Sequence, residues 1–245
     1  MKDVKTFKVS QIVLIAPLIA TLAIWVVYWI EVRFGYNFNH WGVRPRSFTG
    51  LKGVVFSPFI HSSVEHLYNN TIPLAVLTFF LFLFYKKVAF RVMLLGVLGS
   101  GILTWIIGRT SFHIGASGLI YVLASFIFFK GIFTKHYRLV ALSLIVVFIY
   151  GSMIWYIFPV KDGISWEGHL SGFITGLLLA MFLKISVPKE KKYDWEKEDF
   201  DAENDPFLKH FDADGNFVGS NEQSNENEGS VKITYHFKED KEKKE

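Results

Sequence analysis

The sequence predicts an all-α membrane protein, a bundle of six transmembrane helices followed by a charged C-terminal tail. Hydrophobic residues make up 51% of the chain, with 25 Phe and 7 Trp, which is more than a water-soluble domain needs to fill its core. The apolar runs are long, and a run of about 20 residues is enough to cross a bilayer as a helix. Basic residues lie at the ends of these runs, a placement that favours a lipid bilayer over nucleic acid as the partner.

The charges divide the chain near residue 188. Residues 188–245 hold ten Lys/Arg and seventeen Asp/Glu, whereas the preceding part holds sixteen basic and five acidic residues. We assign residues 1–10 to a cytoplasmic N-terminal segment, 11–187 to the membrane domain and 188–245 to a cytoplasmic tail that is mostly disordered. Residues 231–237 alternate like a strand, but one isolated strand does not make a domain. The chain has no cysteine, which excludes disulfides and thiolate metal sites.

Three helices are predicted in the first half of the membrane domain. The apolar run 12–30 is too long for the core of a signal peptide, so we expect a first transmembrane helix there. Residues 31–60 form a long, aromatic-rich connection, and connections of this length are usually functional or partly embedded in the membrane. A second helix is predicted over residues 63–85 and a third over 92–107, where three glycines favour close helix packing.

Three further helices complete the bundle. The fourth opens at the small-residue segment 114–118 and ends near residue 130, the fifth covers 139–158, and the sixth covers 164–185. With six spans, both termini lie on one side of the membrane. Basic clusters at the N-terminus, in two connecting loops and at the start of the tail then share that side, which the positive-inside rule assigns to the cytoplasm. The external loop 31–60 conflicts with this rule, because it carries four basic residues of its own.

Four polar side chains are expected at one depth in the outer leaflet, because the second, fourth and sixth helices all run from outside to inside. His66 and Asn70 are spaced i and i+4, so they share a helix face. Ser117 opens the fourth helix, and His169 lies about 8 Å into the sixth. Each of them alone could be an interhelical hydrogen bond, and the small residues around Ser117 could serve helix packing alone. Together they indicate a polar site, since polar groups in hydrocarbon need a partner or a water-filled cavity.

The chemistry of these residue types favours nucleophilic catalysis. A serine is activated by a base within hydrogen-bond reach, and neutral imidazole is the usual base at pH 7. Ser117 is therefore a candidate nucleophile, with a nearby imidazole as its base. The oxyanion that forms on attack needs donors, which His66, the Asn70 amide and the Ser117 backbone N–H can supply.

At these positions the chain resembles the rhomboid intramembrane serine proteases, over about residues 10–187. The family pattern has HxxxN on the second helix, GxSG at the start of the fourth and HxxGxxxG on the sixth. The resemblance implies a Ser117–His169 dyad without an acidic third member, and an oxyanion hole lined by His66 and Asn70. The remaining residues that match the family and are implied to support the site are Gly115, Gly118, Tyr121, Gly172, Gly176 and His61.

Two features depart from the family pattern. Some relatives have adjacent Trp and Arg residues in the first external loop, whereas Trp41 and Arg44 here are separated by two residues. Glu65, beside His66, replaces an apolar residue of many relatives. We expect the Glu65 side chain to face the outer water, because adjacent helical residues point about 100° apart.

The resemblance implies an intramembrane serine endopeptidase that cuts single-span transmembrane substrates near the outer leaflet. We expect a multi-pass protein of the bacterial plasma membrane with both termini in the cytoplasm, and neither a cofactor, a metal nor nucleic acid as partner. One alternative is a catalytically inactive relative that binds membrane clients. A channel or transporter would show internal repeats, which we do not find. A metalloprotease would need HExxH or an equivalent cluster, which the sequence lacks.

Overall fold

The computed structural model describes residues 10–161, 163–185 and 193–218. The chain divides into two compact units, Met1–Val187 and Pro188–Glu245, which we describe separately. In its described residues the first unit is helical and contains one isolated antiparallel bridge, between Val43 and His113. Its α-helices are α1 (Ile12–Phe34), α2 (Gly53–Phe56), α3 (Val64–Phe84), α4 (Ala89–Ile107), α5 (Ser117–Thr134), α6 (Tyr137–Tyr150) and α7 (Trp166–Phe182).

The six predicted helices are all present, as α1 and α3 to α7. Five of them, with α6 extended by the 3₁₀ helix Gly151–Ile157, are long and apolar enough to cross a membrane. α7 is shorter, with 17 residues and a length of roughly 26 Å. The predicted end of α1 at residue 30 was four residues too early. The helix continues because Glu31 is buried and accepts a hydrogen bond from the Phe38 backbone N–H.

α5 occupies the centre of the bundle and packs most extensively against α7. A Cβ on Gly172 would overlap the Gly118 carbonyl oxygen of α5, and a Cβ on Gly176 would overlap the Val122 carbonyl oxygen. The two backbones can therefore approach only because these positions are glycine. At the other end of the pair, the buried Lys130 Nζ of α5 donates to the Ala180 carbonyl of α7 at 2.9 Å.

The glycines of α4 also serve close packing. A Cβ on Gly96 would lie 2.8 Å from Val122 Cγ1 of α5, and one on Gly99 would lie 2.7 Å from Thr175 Cγ2 of α7. α4, α5 and α7 thus form a tightly packed trio. The sequence predicted close packing at the glycines of α4, but the helices that these glycines contact become visible only in the structure.

The long connection between α1 and α3, predicted to be external, is organised by hydrogen bonds and ring contacts. Arg46 adopts a left-handed backbone conformation with φ of 55°, and its Nη1 donates to the Ile106 carbonyl at 3.2 Å and the Gly108 carbonyl at 2.9 Å. This arginine therefore caps the C-terminus of α4, where a positive charge is favourable. Arg44 lies over the Phe112 ring at 5.6 Å, and Lys52 lies over the Trp41 ring at 5.3 Å. The fourth basic residue within 31–60, Arg33, lies over the Phe34 ring at 5.9 Å, so all four have partners within the protein.

The second unit has little regular structure in residues 193–218. It contains two single-turn 3₁₀ helices, Asp194–Glu196 and Leu208–His210, and an isolated bridge between Phe211 and Phe217. The strand-like residues 231–237 lie outside the described residues. The expected disorder of the tail stays a prediction.

Candidate active site

Ser117 lies at a helix N-terminus that has no side-chain cap. α3 and α7 begin with serine caps: Ser63 accepts from the His66 N–H at 3.1 Å, and Ser165 accepts from the Gly168 N–H at 3.2 Å. α5 instead follows Ala116, which cannot cap. Within the described residues, no hydrogen bond occupies the N–H groups of Ser117 and the next two residues. An uncapped helix start presents free N–H groups and a partial positive charge, both suited to an anion.

Gly115 brings two polar side chains of α3 to this helix start. It has φ of 104°, a conformation that favours glycine, and its N–H donates to the Ser57 carbonyl at 2.9 Å. A Cβ at this position would lie 2.7 Å from His66 Nε2 and 3.9 Å from Asn70 Nδ2. His66 and Asn70 therefore lie directly against the loop that precedes Ser117, on one face of α3.

The hydrogen bonds of these two residues leave donors available. Asn70 is buried, and its Nδ2 donates to the His66 carbonyl at 2.8 Å. An amide nitrogen carries two hydrogens, so one remains. His66 Nδ1 has a long contact of 3.5 Å with Ser62 Oγ, which permits the tautomer with hydrogen on Nε2. Glu65, next to His66, is exposed as expected.

His61 holds the backbone immediately before Ser117. Its Nδ1–H donates to the Phe59 carbonyl at 3.3 Å, and its Nε2 accepts from the Ala116 N–H at 3.4 Å. The ring is buried and its centroid lies 5.0 Å from that of His66. Burial, and then the proximity of His66, lower the pKa of His61 to about 4. His61 is therefore neutral at physiological pH and can keep both hydrogen bonds.

This lowered pKa predicts that acid destabilises the protein. The fold favours neutral His61, so its contribution to stability is complete above the unfolded pKa of about 6.5 and is lost as pH falls towards 4. The free energy of unfolding should fall by up to roughly 1.4 kcal/mol per pH unit from this residue. We expect the thermal midpoint in detergent to drop between pH 7 and pH 5, with a smaller drop in His61→Gln. An equal pH dependence of the thermal midpoint in wild type and His61→Gln would contradict the assignment.

His169 is held in one tautomer at the start of α7. The side chain is buried, and Nδ1 lies 2.9 Å from the Tyr156 carbonyl, which can only accept, so Nδ1 carries the hydrogen. Nε2 then keeps its lone pair. The ring stacks on Tyr121, with centroids 4.4 Å apart and an interplanar angle of 12°. Tyr121 in turn donates from its hydroxyl to the Met153 carbonyl at 2.6 Å. Both carbonyls belong to the 3₁₀ helix Gly151–Ile157 that extends α6.

The structure brings the neighbours of Ser117 and His169 into contact. A Cβ on Gly118 would lie 3.5 Å from the Gly168 carbonyl oxygen, and one on Gly172 would lie 2.9 Å from Tyr121 Cβ. In the part of the chain that the structure describes, no hydrogen bond joins Ser117 Oγ to His169. Hydrogen bonds of this kind are often long in enzymes without substrate and tighten when it binds.

A cavity of about 30 Å³, lined by both polar and apolar residues, lies beside Ser117, with room for one or two water molecules. Sequence reasoning missed most of the residues around it, because each sits inside an otherwise apolar stretch or a short loop. Its polar lining comes from Ser57, Ser100, Thr104, His113, Ser117 and Ser165.

Sequence reasoning also missed a buried polar cluster at the start of α7. It includes Glu167, which is 2% exposed, and His113, which is 4% exposed. The signal was available, because Glu167 precedes His169 by two residues and His113 precedes Ser117 by four. Burial of an acid and an imidazole costs free energy, so their position close to the candidate dyad indicates a functional role.

Comparison with known proteins agrees with this architecture. A sequence profile of the Rhomboid domain matches residues 47–186. An uncharacterized protein of Mycobacterium tuberculosis is 35% identical over 178 residues, which cover 69% of this chain and 73% of the relative, and a protein of Mycobacterium bovis matches equally well. An uncharacterized protein of Mycobacterium leprae is 33% identical over 177 residues, or 69% of each chain.

The matched region contains α3 to α7 and with them every residue of the candidate site. The apolar helices and the domain match together identify an integral membrane protein. The chain belongs to the rhomboid family, a family of intramembrane proteases.

Proposed function

We propose that this protein is an intramembrane serine endopeptidase in which Ser117 is the nucleophile and His169 the general base. One observation is the main support for this proposal. His169 is fixed with hydrogen on Nδ1 and a lone pair on Nε2, on a helix that packs directly against the uncapped helix start at Ser117. This is the arrangement that a serine nucleophile requires of its base.

In the proposed mechanism, Ser117 Oγ attacks the substrate carbonyl while its proton moves to His169 Nε2. The negative charge that develops on the carbonyl oxygen would be stabilised by the Ser117 N–H, by His66 and by the free N–H of Asn70. The protonated His169 then gives its proton to the leaving amine, which breaks the peptide bond and leaves an acyl ester on Ser117. Water hydrolyses the ester, with His169 again acting as the base.

The Tyr156 carbonyl takes the structural place of an acidic third residue. In a triad, an aspartate fixes the tautomer of the histidine and stabilises its protonated form. A carbonyl can fix the tautomer equally well, but as a neutral dipole it stabilises the imidazolium less. The Tyr121 ring adds a face for the protonated imidazole to stack on. A dyad is therefore sufficient in this proposal.

The proposed topology places this site in the outer leaflet of the plasma membrane. The basic clusters on the opposite side would then keep both termini in the cytoplasm. The relatives from mycobacteria fit a bacterial plasma membrane.

The proposed substrates are single-span membrane proteins whose helix unwinds easily at its outer end. A transmembrane helix shields its carbonyls, since each is hydrogen-bonded within the helix. Unwinding exposes backbone groups that cost several kcal/mol each in hydrocarbon, and Gly, Pro or Ser residues lower the cost of leaving the helix. Little lateral room remains at Ser117 between Gly115 and Gly118, so we expect a small residue such as Ala before the cut.

The test is cleavage of a substrate panel by the purified protein in liposomes, with the cut located by mass spectrometry. We expect a cut near the outer end of the substrate helix, and loss of cleavage when its helix-breaking residues are moved to the cytoplasmic end. A cut that followed these residues to the inner end would contradict both the depth and the topology. A fluorophosphonate probe separates this proposal from an inactive client-binding relative, whose serine would stay unlabelled.

The oxyanion site gives a separate prediction. Loss of one oxyanion donor costs ~10²–10³ in turnover in soluble hydrolases, but here three donors share the charge. We expect a smaller loss in Asn70→Ala and a severe loss when His66→Ala is added. The exposed neighbour Asn69 offers a matched control, since Asn69→Ala should keep wild-type turnover. Wild-type turnover in the Asn70/His66 double variant would show that these residues are only structural.

A further inference from the structure

The N-terminus of α7 is tied to the loop between α4 and α5 by a cluster of hydrogen bonds, most of which are partly buried. We call this cluster the α7 clamp and define it as Arg109 and His113 of the loop together with Ser165 and Glu167 of α7. The loop continues directly into Ser117, and α7 reaches His169 two residues after Glu167. The clamp therefore joins the two chain segments that carry the proposed nucleophile and the proposed base.

The first half of the clamp is a chain of three hydrogen bonds through His113. Its Nε2–H donates to the Arg109 carbonyl at 3.0 Å, so Nδ1 of the neutral ring accepts from Ser165 Oγ–H at 2.6 Å. Ser165 Oγ also accepts from the Gly168 N–H as the cap of α7. Burial is the largest influence on His113 and lowers its pKa, which keeps the ring neutral and able to accept. Through Ser165, the loop thus holds Gly168, the residue immediately before His169.

The second half of the clamp is the buried carboxylate of Glu167. Oε1 accepts from the Arg109 backbone N–H at 3.2 Å and lies 3.7 Å from Arg109 Nε. The guanidinium of Arg109 also donates through Nη2 to the Ile164 carbonyl, just before the helix, at 2.8 Å. A carboxylate in the first turn of a helix is favoured by the helix dipole. Each of these three contacts joins Arg109 of the loop to Glu167 or Ile164.

The clamp lies at the N-terminal ends of α5 and α7, where the proposed nucleophile and base also lie. The other close contacts between α5 and α7, at Gly172 and Gly176, lie one and two turns further into the membrane. They set the approach of the two helices, while the Gly118–Gly168 contact and the stacking of His169 on Tyr121 hold the first turn of α7 against α5. The clamp adds hydrogen bonds from that first turn to the loop that precedes α5, and displacement of a catalytic group by 1 Å can cost ~10² in rate.

We propose that Glu167 and His113 are positioning residues that set the distance and angle between His169 Nε2 and Ser117 Oγ. The inference rests on the proposed dyad, because a protein without that chemistry would have nothing for the clamp to position. Neither residue touches the substrate in this proposal. Loss of the clamp should therefore lower kcat and the rate of serine acylation and leave KM close to its wild-type value.

The experiment compares Glu167→Ala with Glu31→Ala in the full-length protein in liposomes. Glu31 is a matched control, because it is also buried, one of its oxygens accepts a backbone N–H, and the other has no partner among the described residues. It lies at the end of α1, outside the proposed machinery. The measurements are the rate of fluorophosphonate labelling of Ser117 per folded molecule, kcat and KM for one substrate, and the thermal midpoint.

We expect Glu167→Ala to slow labelling and kcat by about 10–100-fold with KM within about twofold of wild type. Glu31→Ala should lower the thermal midpoint but keep labelling within about twofold. Glu167→Gln retains an acceptor oxygen for the Arg109 N–H and should recover most of the rate. His113→Phe fills the same space without the hydrogen bonds and should slow labelling as Glu167→Ala does.

The possible outcomes distinguish a failure of this inference from a failure of the proposed protease function. If wild-type protein is labelled no faster than Ser117→Ala, the proposed protease function fails. If wild type is labelled but Glu167→Ala reacts as fast per folded molecule as Glu31→Ala, the clamp is merely structural and the inference is overturned. Equal slowing by Glu167→Gln and Glu167→Ala would also overturn it, because the acceptor bond would then not matter. Should Glu167→Ala fail to fold, the Gln and His113→Phe variants still decide between these results.

Discussion

Ser117→Ala and His169→Ala are each expected to abolish cleavage while leaving a folded, membrane-inserted protein. Catalytic groups that act as a unit lose nearly all activity when either is removed, and in a soluble serine protease the loss is ~10⁶ in kcat. Loss of the base should therefore cost nearly as much as loss of the nucleophile. The measurement is cleavage of a reconstituted substrate, with insertion and thermal midpoint recorded for each variant.

Matched controls distinguish the loss of chemistry from a packing effect. Ser171 on α7 is completely buried and its hydroxyl has no hydrogen-bond partner among the described residues, so Ser171→Ala should keep activity. The exposed His40 gives the corresponding control for histidine. Retention of more than a few per cent of wild-type activity by Ser117→Ala would refute the mechanism.

Gly172→Ala should produce the second largest loss. The added methyl group would overlap the Gly118 carbonyl oxygen and come within 2.9 Å of Tyr121 Cβ, so the backbones of α5 and α7 must separate. Overpacking of this kind costs about 1–3 kcal/mol of stability, and a displacement of about 1 Å between Ser117 and His169 should lower kcat by ~10². Cleavage rate and thermal midpoint measure the two effects separately.

Gly151→Ala is the control for this prediction. A Cβ there would lie 3.5 Å from Val147 Cγ1, which is an ordinary contact, and the residue has a helical backbone conformation. The same chemical change should therefore leave cleavage within about twofold of wild type. If Gly172→Ala behaved like Gly151→Ala, close approach of α5 and α7 would not be required for activity.

The order of the helices and the main residues of the candidate site could be predicted because they depend on local patterns. Apolar runs fix the six helices, and the i, i+4 spacing places His66 and Asn70 on one face of α3. The ends of helices were less predictable. α6 becomes a 3₁₀ helix at Gly151, and the two carbonyls of that segment that accept from Tyr121 and His169 leave no trace in side-chain pattern.

The contacts of the α7 clamp and of Arg46, which join distant parts of the chain, could not be predicted from one sequence. His113 and Ser165 are 52 residues apart, and Arg109 and Glu167 are 58 apart. The external arginines were counted as a conflict with the positive-inside rule, because nothing local shows that Arg46 lies at the end of α4, 60 residues later in the chain. Such pairings become evident only when the fold brings the elements together.

The α5–α7 pair is held at both ends, by the α7 clamp on one side and by the Lys130–Ala180 hydrogen bond on the other. A helix pair fixed at two points resists both sliding and relative rotation, whereas α1 and α6 bury much less of their surface in the protein. The less packed helices should therefore deform before the α5–α7 pair does. When the surrounding bilayer becomes thinner or thicker, α1, which carries no residue of the candidate site, should tilt to match it while the spacing of Ser117 and His169 stays constant. Lipid composition would then change the rate of peptide-bond cleavage mainly by changing how readily the substrate enters. The rate of the chemical step would change much less.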